Sequence, residues 1–357
     1  MLAAFSSRQR LGLALVAFAT ALGGALYYAG VDGLIVFPFV TVALAGLAWL
    51  VALGTDALGN HVGPGLTGVL QSTLGNLPEL FVVIFALKAG EVVVAQTSIL
   101  GSLFANALLV LGLVIIAGAR ASEGSVMRFH PRLPNDTATL LLLASFLIVL
   151  LGLSVSSGDK AAEHQVEISA VGAVVLLIVY AIWLWSYLRA DIKRPESAEE
   201  ASHAPPLSLR TALVLLAIAG VGAAFVSDWF VASLNPAIDA LHLSKAFAGI
   251  VIVAIAGNAV ENVAGITLAA KGKMDDAISV VKNSVAQIAA FLFPALVLVS
   301  LAFTNTLTFQ LAPVYIGALL LTAIALWQIT ADGEGTRFEG VALIAFYVIL
   351  AVLAWYE

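Results

Sequence analysis

The stretch GNLPELFVVIFAL, residues 75–87, sets a single carboxylate, Glu79, at the start of a long apolar run. Its glycine is conformationally permissive, and Pro78 has no N–H to donate to the carbonyl of Leu74. A freed carbonyl is costly in lipid unless it lines a cavity or meets an ion. The stretch therefore predicts a membrane helix that is broken where Asn76 and Glu79 lie.

The composition identifies the class of protein. Of the 357 residues, 61% are hydrophobic and only 11% are charged, whereas soluble domains carry about 25% charged residues. The chain is therefore expected to be a multi-pass integral membrane protein surrounded by lipid. It has no cysteine, which excludes disulfides and thiolate metal sites, and no basic run that would bind nucleic acid. No cofactor is expected.

Eleven helical spans are predicted, because a span needs about 20 apolar residues and the apolar runs are continuous rather than alternating. A signal peptide is the alternative for the first span, which we expect to be a retained helix. The predicted spans are 11–30, 34–54, 62–87, 92–118, 138–157, 166–189, 209–233, 246–270, 275–301, 308–330 and 338–356.

The basic residues predict the orientation of these spans. With a cytoplasmic N-terminus, twelve of the sixteen Lys and Arg residues fall in inside segments and three in outside loops, while Lys282 lies within a span. The positive-inside rule therefore places the N-terminus in the cytoplasm and the C-terminus outside. A polar stretch with three prolines, residues 190–206, is expected to be a solvated linker between two halves.

The two halves contain an internal repeat. The motif GNAVEN, residues 257–262, follows the first GN motif by 257 − 75 = 182 residues, and Ser102 and Ser284 are separated by the same 182. The third and eighth predicted spans cross the membrane in opposite directions, so the repeats are expected to be inverted. Inverted repeats with discontinuous helices are typical of secondary transporters that bind their substrate near the midplane.

The paired motifs predict a cation site. Hard divalent cations such as Ca²⁺ take six to eight oxygen ligands, carboxylates among them. The alternative is that each motif makes a packing kink and each glutamate bonds a neighbouring helix. The predicted site residues are Gly75, Asn76, Glu79, Gly257, Asn258, Glu261, Ser102 and Ser284, with the two glutamates as the direct metal ligands.

Two carboxylates at one site indicate how exchange would work. When both carboxylates are ionised, they neutralise a divalent cation. After the cation leaves, two uncompensated negative charges remain in a cavity of low dielectric constant. Protons then bind to the carboxylates. Only the site loaded with the cation or with protons has a low net charge, so only a loaded protein is expected to switch its access from one side of the membrane to the other. We therefore hypothesise that cation and protons compete for one site.

At these residues the sequence resembles the calcium/proton antiporters of the cation/calcium exchanger superfamily. The first motif continues with FALKAGE and GSLFANALLVLG, the second with KMD and the Ser284-to-Gln287 pattern, and the tail DGEGTRFEGVALIAFYVIL is also similar. The resemblance implies an all-α fold of eleven transmembrane helices and the exchange of Ca²⁺ for H⁺. It implies an N-terminal helix (1–33), a first five-helix repeat (34–189), a cytoplasmic linker (190–208) and a second five-helix repeat (209–357).

The resemblance also implies roles for individual residues. Glu79 and Glu261 would bind the ion or protons. Asp56 and Asp228, near the predicted span ends, would serve ion entry or proton transfer, unless they are solvated interfacial acids. The remaining polar ligands would be Asn76, Asn258, Ser102, Ser284 and Gln287.

Three departures from the family pattern keep alternatives open. Pro78 stands where the family has Thr, Asn262 where it often has His, and Lys282 in place of an apolar residue. Pro78 and Lys282 favour, as an alternative, a Na⁺-coupled or monovalent cation/H⁺ exchanger. Na⁺, K⁺ or Mn²⁺ is the alternative cargo to Ca²⁺. We expect Lys282 to snorkel to the cytoplasmic surface; otherwise its ammonium lies beside the site and modifies selectivity.

Other classes of function fit less well. A channel is disfavoured because paired midplane carboxylates bind a divalent ion too tightly for rapid passage. The five histidines fall in loops or at span ends, which leaves no buried zinc site, so we expect no enzyme. A bacterial plasma membrane is the expected location, and a homo-oligomer is compatible with the sequence.

Overall fold

The computed structural model describes residues 5–62, 73–191 and 208–357, and within these ranges the side chains of residues 59, 60, 62, 133, 190, 191 and 259–262 are outside the description. Most of the described chain is helical. The helices are α1 Ser7–Tyr28, α2 Gly33–Val62, α3 Leu77–Lys88, α4 Val92–Ala121, α5 Arg132–Ser157, α6 Gln165–Asp191, α7 Leu209–Leu241, α8 (Lys245–Phe247, Ala248–Val253 and Ala254–Ala270), α9 Met274–Ser300, α10 Pro313–Thr330 and α11 Arg337–Trp355.

Within the described residues, nine helices are long and apolar enough to span a membrane, and the bent α8 makes ten. The multi-pass membrane fold is thus confirmed. The predicted third span, residues 62–87, lies partly outside the described residues, and only its second part, the twelve-residue α3, is seen. The predicted linker also lies outside them, apart from its ends.

The chain forms two compact units, each built from both halves of the sequence. The first contains residues 1–82 and 181–240, and the second contains residues 83–180 and 241–357. In the first unit, glycines let α1 lie close to its neighbours. A Cβ on Gly24 would be 2.7 Å from the Trp229 ring of α7, and one on Gly46 of α2 would collide with Val16. These contacts make α1 an integral part of the first unit.

One end of the second unit gathers the loops that were predicted to lie outside. Lys245 Nζ at the start of α8 is 2.6 Å from Glu91 Oε2 just before α4. Asn305, between α9 and α10, donates a 3.0 Å hydrogen bond to the carbonyl of Leu87. The Ser244 hydroxyl donates to the carbonyl of Ala354, near the C-terminus. These loops share one end, as the predicted topology requires.

The other end of the second unit gathers loops that were predicted to lie inside. Two three-residue strands, β1 Val126–Arg128 and β2 Glu334–Thr336, pair antiparallel, and Arg128 Nε is 3.0 Å from Glu334 Oε1. The backbone N–H of His130 donates a 2.7 Å hydrogen bond to Asp275 Oδ1. No strands were expected, because the apolar runs are continuous and do not alternate; these two strands lie in loops between the helices.

The 182-residue offset seen in the sequence reappears in the helices of the second unit. Helix α4 begins at Val92 and α9 at Met274, and 274 − 92 = 182. Both contain a π-helical segment, Ala105–Val110 and Ile288–Leu292. Helix α4 begins at the end where Glu91 lies and α9 at the end where Asp275 lies, so the two run in opposite directions, as inverted repeats do.

Close backbone contact joins the two repeats inside the second unit. A Cβ on Gly101 of α4 would be 2.5 Å from Ile250 Cα in the π-helical segment of α8, and one on Gly249 would be 2.9 Å from the backbone nitrogen of Ser98. Small residues allow membrane helices to approach in this way, and the gain is dispersion energy rather than a hydrophobic effect. Gly101 directly precedes Ser102, so this crossing fixes a predicted site residue.

Replacing Gly101 with alanine should destabilise the protein, because the added methyl group meets backbone atoms that cannot rotate away. Overpacking of this kind costs about 1–3 kcal/mol. Gly317 of α10 is the matched control, since a Cβ there meets nothing within 4 Å. We expect Gly101→Ala to lower the apparent melting temperature in detergent and Gly317→Ala not to. Equal melting temperatures for the two variants would contradict the close crossing.

Candidate cation-binding site

The first GN motif lies at a break in the helix, as predicted. Residues 73–75 are helical, Asn76 forms a turn, and α3 begins at Leu77. Asn76 and Glu79 are 3% and 2% exposed, so both polar side chains are buried within one turn of each other. A buried carboxylate is costly without a compensating partner. The break therefore places two buried polar side chains, an amide and a carboxyl group, next to each other in an apolar segment.

A hydrogen bond from α7 supports this first turn of α3. The buried Ser227 hydroxyl is 3.4 Å from the carbonyl oxygen of Pro78, the residue before Glu79. Sequence reasoning missed Ser227, because it has no counterpart at the 182-residue offset: residue 45 is alanine. Ser227 thus bonds the peptide unit that carries Glu79 within the first unit of the protein.

The second GN motif also coincides with a distortion. Helix α8 bends by 60° between Asn258 and Val263. Gly257 is buried, and a Cβ added there would meet no atom of the described residues within 4 Å. The side chain of Glu261 lies outside the described residues. The motif therefore combines a bent helix with a buried glycine.

Three polar side chains from α4 and α8, here called the asparagine cluster, meet in the second unit: Ser102, Asn106 and Asn258. Asn258 Nδ2 donates to Ser102 Oγ at 2.8 Å and to the carbonyl of Ala254 at 3.0 Å. Asn106 Nδ2 donates to Asn258 Oδ1 at 3.4 Å and to the carbonyl of Ser102 at 3.0 Å. The structure thus brings together Asn258 and Ser102, which were predicted for one site, from opposite repeats.

The amide oxygen of Asn106 has unused hydrogen-bonding capacity. It is buried and has no hydrogen-bond partner among the described residues. The side-chain oxygen of Ser284 is likewise buried and has no partner among them. Buried polar atoms are almost always bonded, so such exceptions indicate a ligand or a function. Sequence reasoning overlooked Asn106, because the 182-residue offset pairs it with Ile288. Asn106 is the asparagine of the family motif GSLFANALLVLG, which is the sequence signal that could have found it, and its contact with Asn258 shows where it lies.

Ser284 and Gln287 lie on α9, immediately before its π-helical segment, as Ser102 does on α4. They are 0% and 2% exposed. The Gln287 side chain hydrogen-bonds to Tyr180. Asn258, Ser102, Ser284 and Gln287 belong to the second unit, whereas Asn76 and Glu79 belong to the first.

The two aspartates suggested for ion entry differ in position. Asp56 is exposed. The apolar part of α2 ends at Leu58, so Asp56 lies near the end of the span, as predicted. Asp228 was expected near a span end, and this is wrong, because α7 continues to Leu241. The helix passes through Pro236, which removes a single backbone hydrogen bond. Asp228 is therefore a half-buried acid well inside a long helix.

The expectation that Lys282 snorkels to the surface is also wrong. Lys282 is 0% exposed. Its Nζ is 3.4 Å from the hydroxyl of Thr330 at the end of α10, and the Thr137 hydroxyl of α5 donates to its backbone carbonyl at 3.3 Å. The side chain is covered because α5 and α10 pack around α9, which sequence depth alone does not reveal.

Histidine and acidic side chains do not form a metal cluster anywhere in the described part of the chain: no three of them gather in one place. The amide, hydroxyl and backbone carbonyl oxygens that meet in the asparagine cluster are groups that hard cations such as Ca²⁺ or Na⁺ accept as ligands, whereas zinc prefers nitrogen and sulfur.

These features define a class of membrane transporter, and comparison with known proteins identifies its family. The sodium/calcium exchanger protein family matches residues 33–188 and 211–356. The chain belongs to this family. The matched ranges include both GN motifs, the asparagine cluster and both π-helical segments of α4 and α9.

Individual relatives resemble nearly the whole chain. A vacuolar calcium ion transporter of Schizosaccharomyces pombe is 31% identical over 330 residues, 90% of this chain and 79% of the relative. A Ca²⁺/H⁺ antiporter of Synechocystis is 29% identical over 370 residues, 99% of each chain. A crystal structure of the Ca²⁺/H⁺ antiporter protein YfkE superposes with a TM-score of 0.80 at 25% identity, covering 98% of this chain and 100% of that one. The resemblance to calcium/proton antiporters is confirmed.

A double-mutant cycle on Asn258 and Ser102 would test the asparagine cluster. We expect Asn258→Ala and Ser102→Ala to be coupled by about 0.5–1.5 kcal/mol in unfolding free energy, the usual net value of one hydrogen bond. Ser145→Ala, which removes a buried hydroxyl bonded to Leu141 within its own helix, is the control. Additive effects of Asn258→Ala and Ser102→Ala would show that the two side chains do not bond.

Proposed function

We propose that this protein is a secondary active transporter that exchanges Ca²⁺ for H⁺. The observation that carries the proposal is the buried Glu79, 2% exposed at a helix break in a chain that aligns end to end with a Ca²⁺/H⁺ antiporter. Burying an ionisable side chain in the membrane is energetically costly, and such residues usually bind ions or protons. The transported ions are substrates, and no cofactor is needed.

The proposed ligands are oxygens from both repeats. Glu79 and Asn76 contribute from the first GN motif, and Glu261 and Asn258 from the second, with Gly75 and Gly257 permitting the local backbone geometry. Ser102, Ser284 and Gln287 add neutral groups, and Asn106 joins them through its unbonded oxygen. That Glu79 and Glu261 share one cation rests on the sequence repeat and on the family, and it is the central part of the proposal.

Charge balance explains why transport would be an obligatory exchange. One Ca²⁺ neutralises the two negative charges of the carboxylates, and two protons neutralise them equally well. The empty site would hold two anions in a medium of low dielectric constant, where each charge is expensive to bury. A transporter in that state should not change its access, so a cation leaves only when protons replace it.

The inverted repeats supply the two states of access. Related elements with opposite orientation can adopt each other's conformation, which opens the site alternately to the two sides. In this proposal the membrane is a bacterial plasma membrane, with the N-terminus cytoplasmic and the C-terminus outside. An inward proton gradient would then drive calcium out of the cell.

The proposal includes eleven spans: α1, then five helices between residues 34 and 189, a cytoplasmic linker at 190–208, and five more helices to residue 357. The packing of α1 against α2 and Trp229 supports its place in the protein. Helices α4 and α9 begin 182 residues apart, the same offset as in the sequence repeat, and this supports the division into two repeats. Asp56 and Asp228 are proposed to assist ion entry or proton transfer.

A Na⁺-coupled or monovalent cation/H⁺ exchanger of the same fold is the second candidate. It is favoured by Pro78 in the first motif and by the buried Lys282, which, if protonated, would oppose a divalent cation more strongly than a monovalent one. The two candidates differ in cargo, so transport with separately supplied cations distinguishes them.

Replacing Glu79 with glutamine should abolish exchange, because the amide keeps the shape but can neither neutralise a cation nor accept a transported proton. The measurement is uptake of radioactive calcium into liposomes with an imposed pH gradient, with Na⁺, K⁺, Mn²⁺ and Mg²⁺ tested separately. Glu261→Gln should have the same effect. Glu167→Gln is the matched control, since Glu167 is exposed at the start of α6 and 3.8 Å from His164.

Proton-driven calcium uptake in the wild-type protein and the Glu167→Gln control, with none in Glu79→Gln or Glu261→Gln, is the expected result. Substantial residual exchange in either of the latter two variants would overturn the shared-site mechanism. Proton-driven movement of Na⁺ or K⁺ without calcium would favour the second candidate.

A further inference from the structure

Ser227 is a fully buried serine of α7 whose hydroxyl bonds another helix. Its exposed fraction is 0%, and its Oγ donates to the carbonyl oxygen of Pro78, 3.4 Å away in the first turn of α3. Buried hydroxyls in helices commonly bond a carbonyl of their own preceding turn. Those of Ser145 and Thr330 do so, each at 2.7 Å from the carbonyl oxygen four residues earlier. The Ser227 hydroxyl instead connects two helices.

The same pair of residue types occurs in α2 with a different bond. Thr55 and Asp56 precede Ser227 and Asp228 by 227 − 55 = 172 and 228 − 56 = 172 residues. Thr55 is also 0% exposed, and its hydroxyl donates to the carbonyl of Val51 in its own helix at 2.8 Å. Burial beside an aspartate is therefore compatible with a local bond. What distinguishes Ser227 is its position against α3.

Helix α7 lies along the beginning of α3. Gly220 precedes Ser227 by seven residues, which is about two helical turns, so the two residues share one face of α7. A Cβ added to Gly220 would be 3.9 Å from Leu77 Cδ1, an ordinary van der Waals distance. This face of α7 thus contacts Leu77 and Pro78, the first two residues of α3. All four residues belong to the first unit.

The bonded carbonyl belongs to the peptide group that leads into Glu79. A peptide group is planar, so the Pro78 carbonyl and the Glu79 N–H turn together. The chain leaves the regular helix at Asn76, and Pro78 has no N–H with which to bond the preceding turn. The bond from Ser227 therefore restrains the start of α3 at a residue whose own nitrogen cannot do so.

We infer that Ser227 is a positioning residue for cation binding: its hydrogen bond to the Pro78 carbonyl fixes the first turn of α3, and with it the direction in which the Glu79 side chain leaves the backbone. A ligand that is already held in its binding geometry loses less freedom when the cation binds, so the affinity is higher. This inference rests on the proposed function, because it names a residue that supports one of the proposed ligands.

The test compares two variants of Ser227 in the liposome assay, with calcium uptake measured over a series of calcium concentrations at one fixed pH gradient. Ser227→Ala removes the hydroxyl, and Ser227→Thr keeps it. Ser145→Ala is the matched control, since it also removes a buried hydroxyl, but one that bonds within its own helix. Gel filtration and melting temperature in detergent establish that each variant is folded.

Ser227→Ala should raise the calcium concentration for half-maximal uptake by about two- to tenfold, the factor that corresponds to one lost hydrogen bond. Its maximal rate should stay close to that of the wild-type protein. Ser227→Thr and the control should keep the wild-type calcium dependence. A merely structural role of Ser227 would instead lower the melting temperature and the maximal rate and leave the half-maximal concentration unchanged.

A folded Ser227→Ala variant with the wild-type calcium dependence would overturn the inference and leave the proposed function intact. The same rise in the control, or in a folded Ser227→Thr variant, would overturn it as well, because the effect would then not depend on the hydroxyl that bonds Pro78. If Ser227→Thr does not fold, the comparison of Ser227→Ala with the control decides. A wild-type protein that moves no calcium in the same liposomes would instead remove the proposed function, and the inference with it.

Discussion

The structure depends on the cost of holding an ionisable side chain away from water. Glu79 is almost completely buried, and the chain around it departs from a regular helix at Asn76. A carboxylate in a medium of low dielectric constant is tolerated when a compensating charge or several hydrogen-bond donors reach it. In the first unit the break at Asn76 holds such a carboxylate, and in the second unit the neutral oxygens of α4 and α8 meet beside the bend of α8.

Irregular backbone lies next to several of the buried polar groups proposed for the site. The π-helical segments of α4 and α9 follow Ser102 and Ser284, and the one in α8 precedes the bend at Asn258. Tyr347 donates a 3.2 Å hydrogen bond to the carbonyl of Ile250, which supplies this segment with a partner from α11. π-Helical turns are rare and frequently lie at functional sites. Near two of these segments, Gly101 and Gly249 allow the backbones of α4 and α8 to pack directly against each other.

The sequence predicted the membrane class, both helix distortions and the 182-residue repeat, because these follow from residue types that act locally. Features that depend on neighbours were missed. Lys282 was placed at the surface, since helix rise gives depth but does not show that α5 and α10 cover the side chain. Asp228 was placed near a span end because the predicted seventh span stopped at residue 233, whereas the helix continues to Leu241. Asn106 had no repeat partner, although it stands in the motif GSLFANALLVLG, and its contact with Asn258 shows where it lies.

Calcium binding recorded together with proton release is the most direct test of the shared site. Purified protein in weakly buffered detergent solution is titrated with calcium at several pH values. If the two glutamates bind either the cation or protons, each bound calcium should release about two protons from the protonated site, and calcium affinity should fall as the pH falls. Calcium binding with no proton release, and with equal affinity at acidic and alkaline pH, would contradict the account.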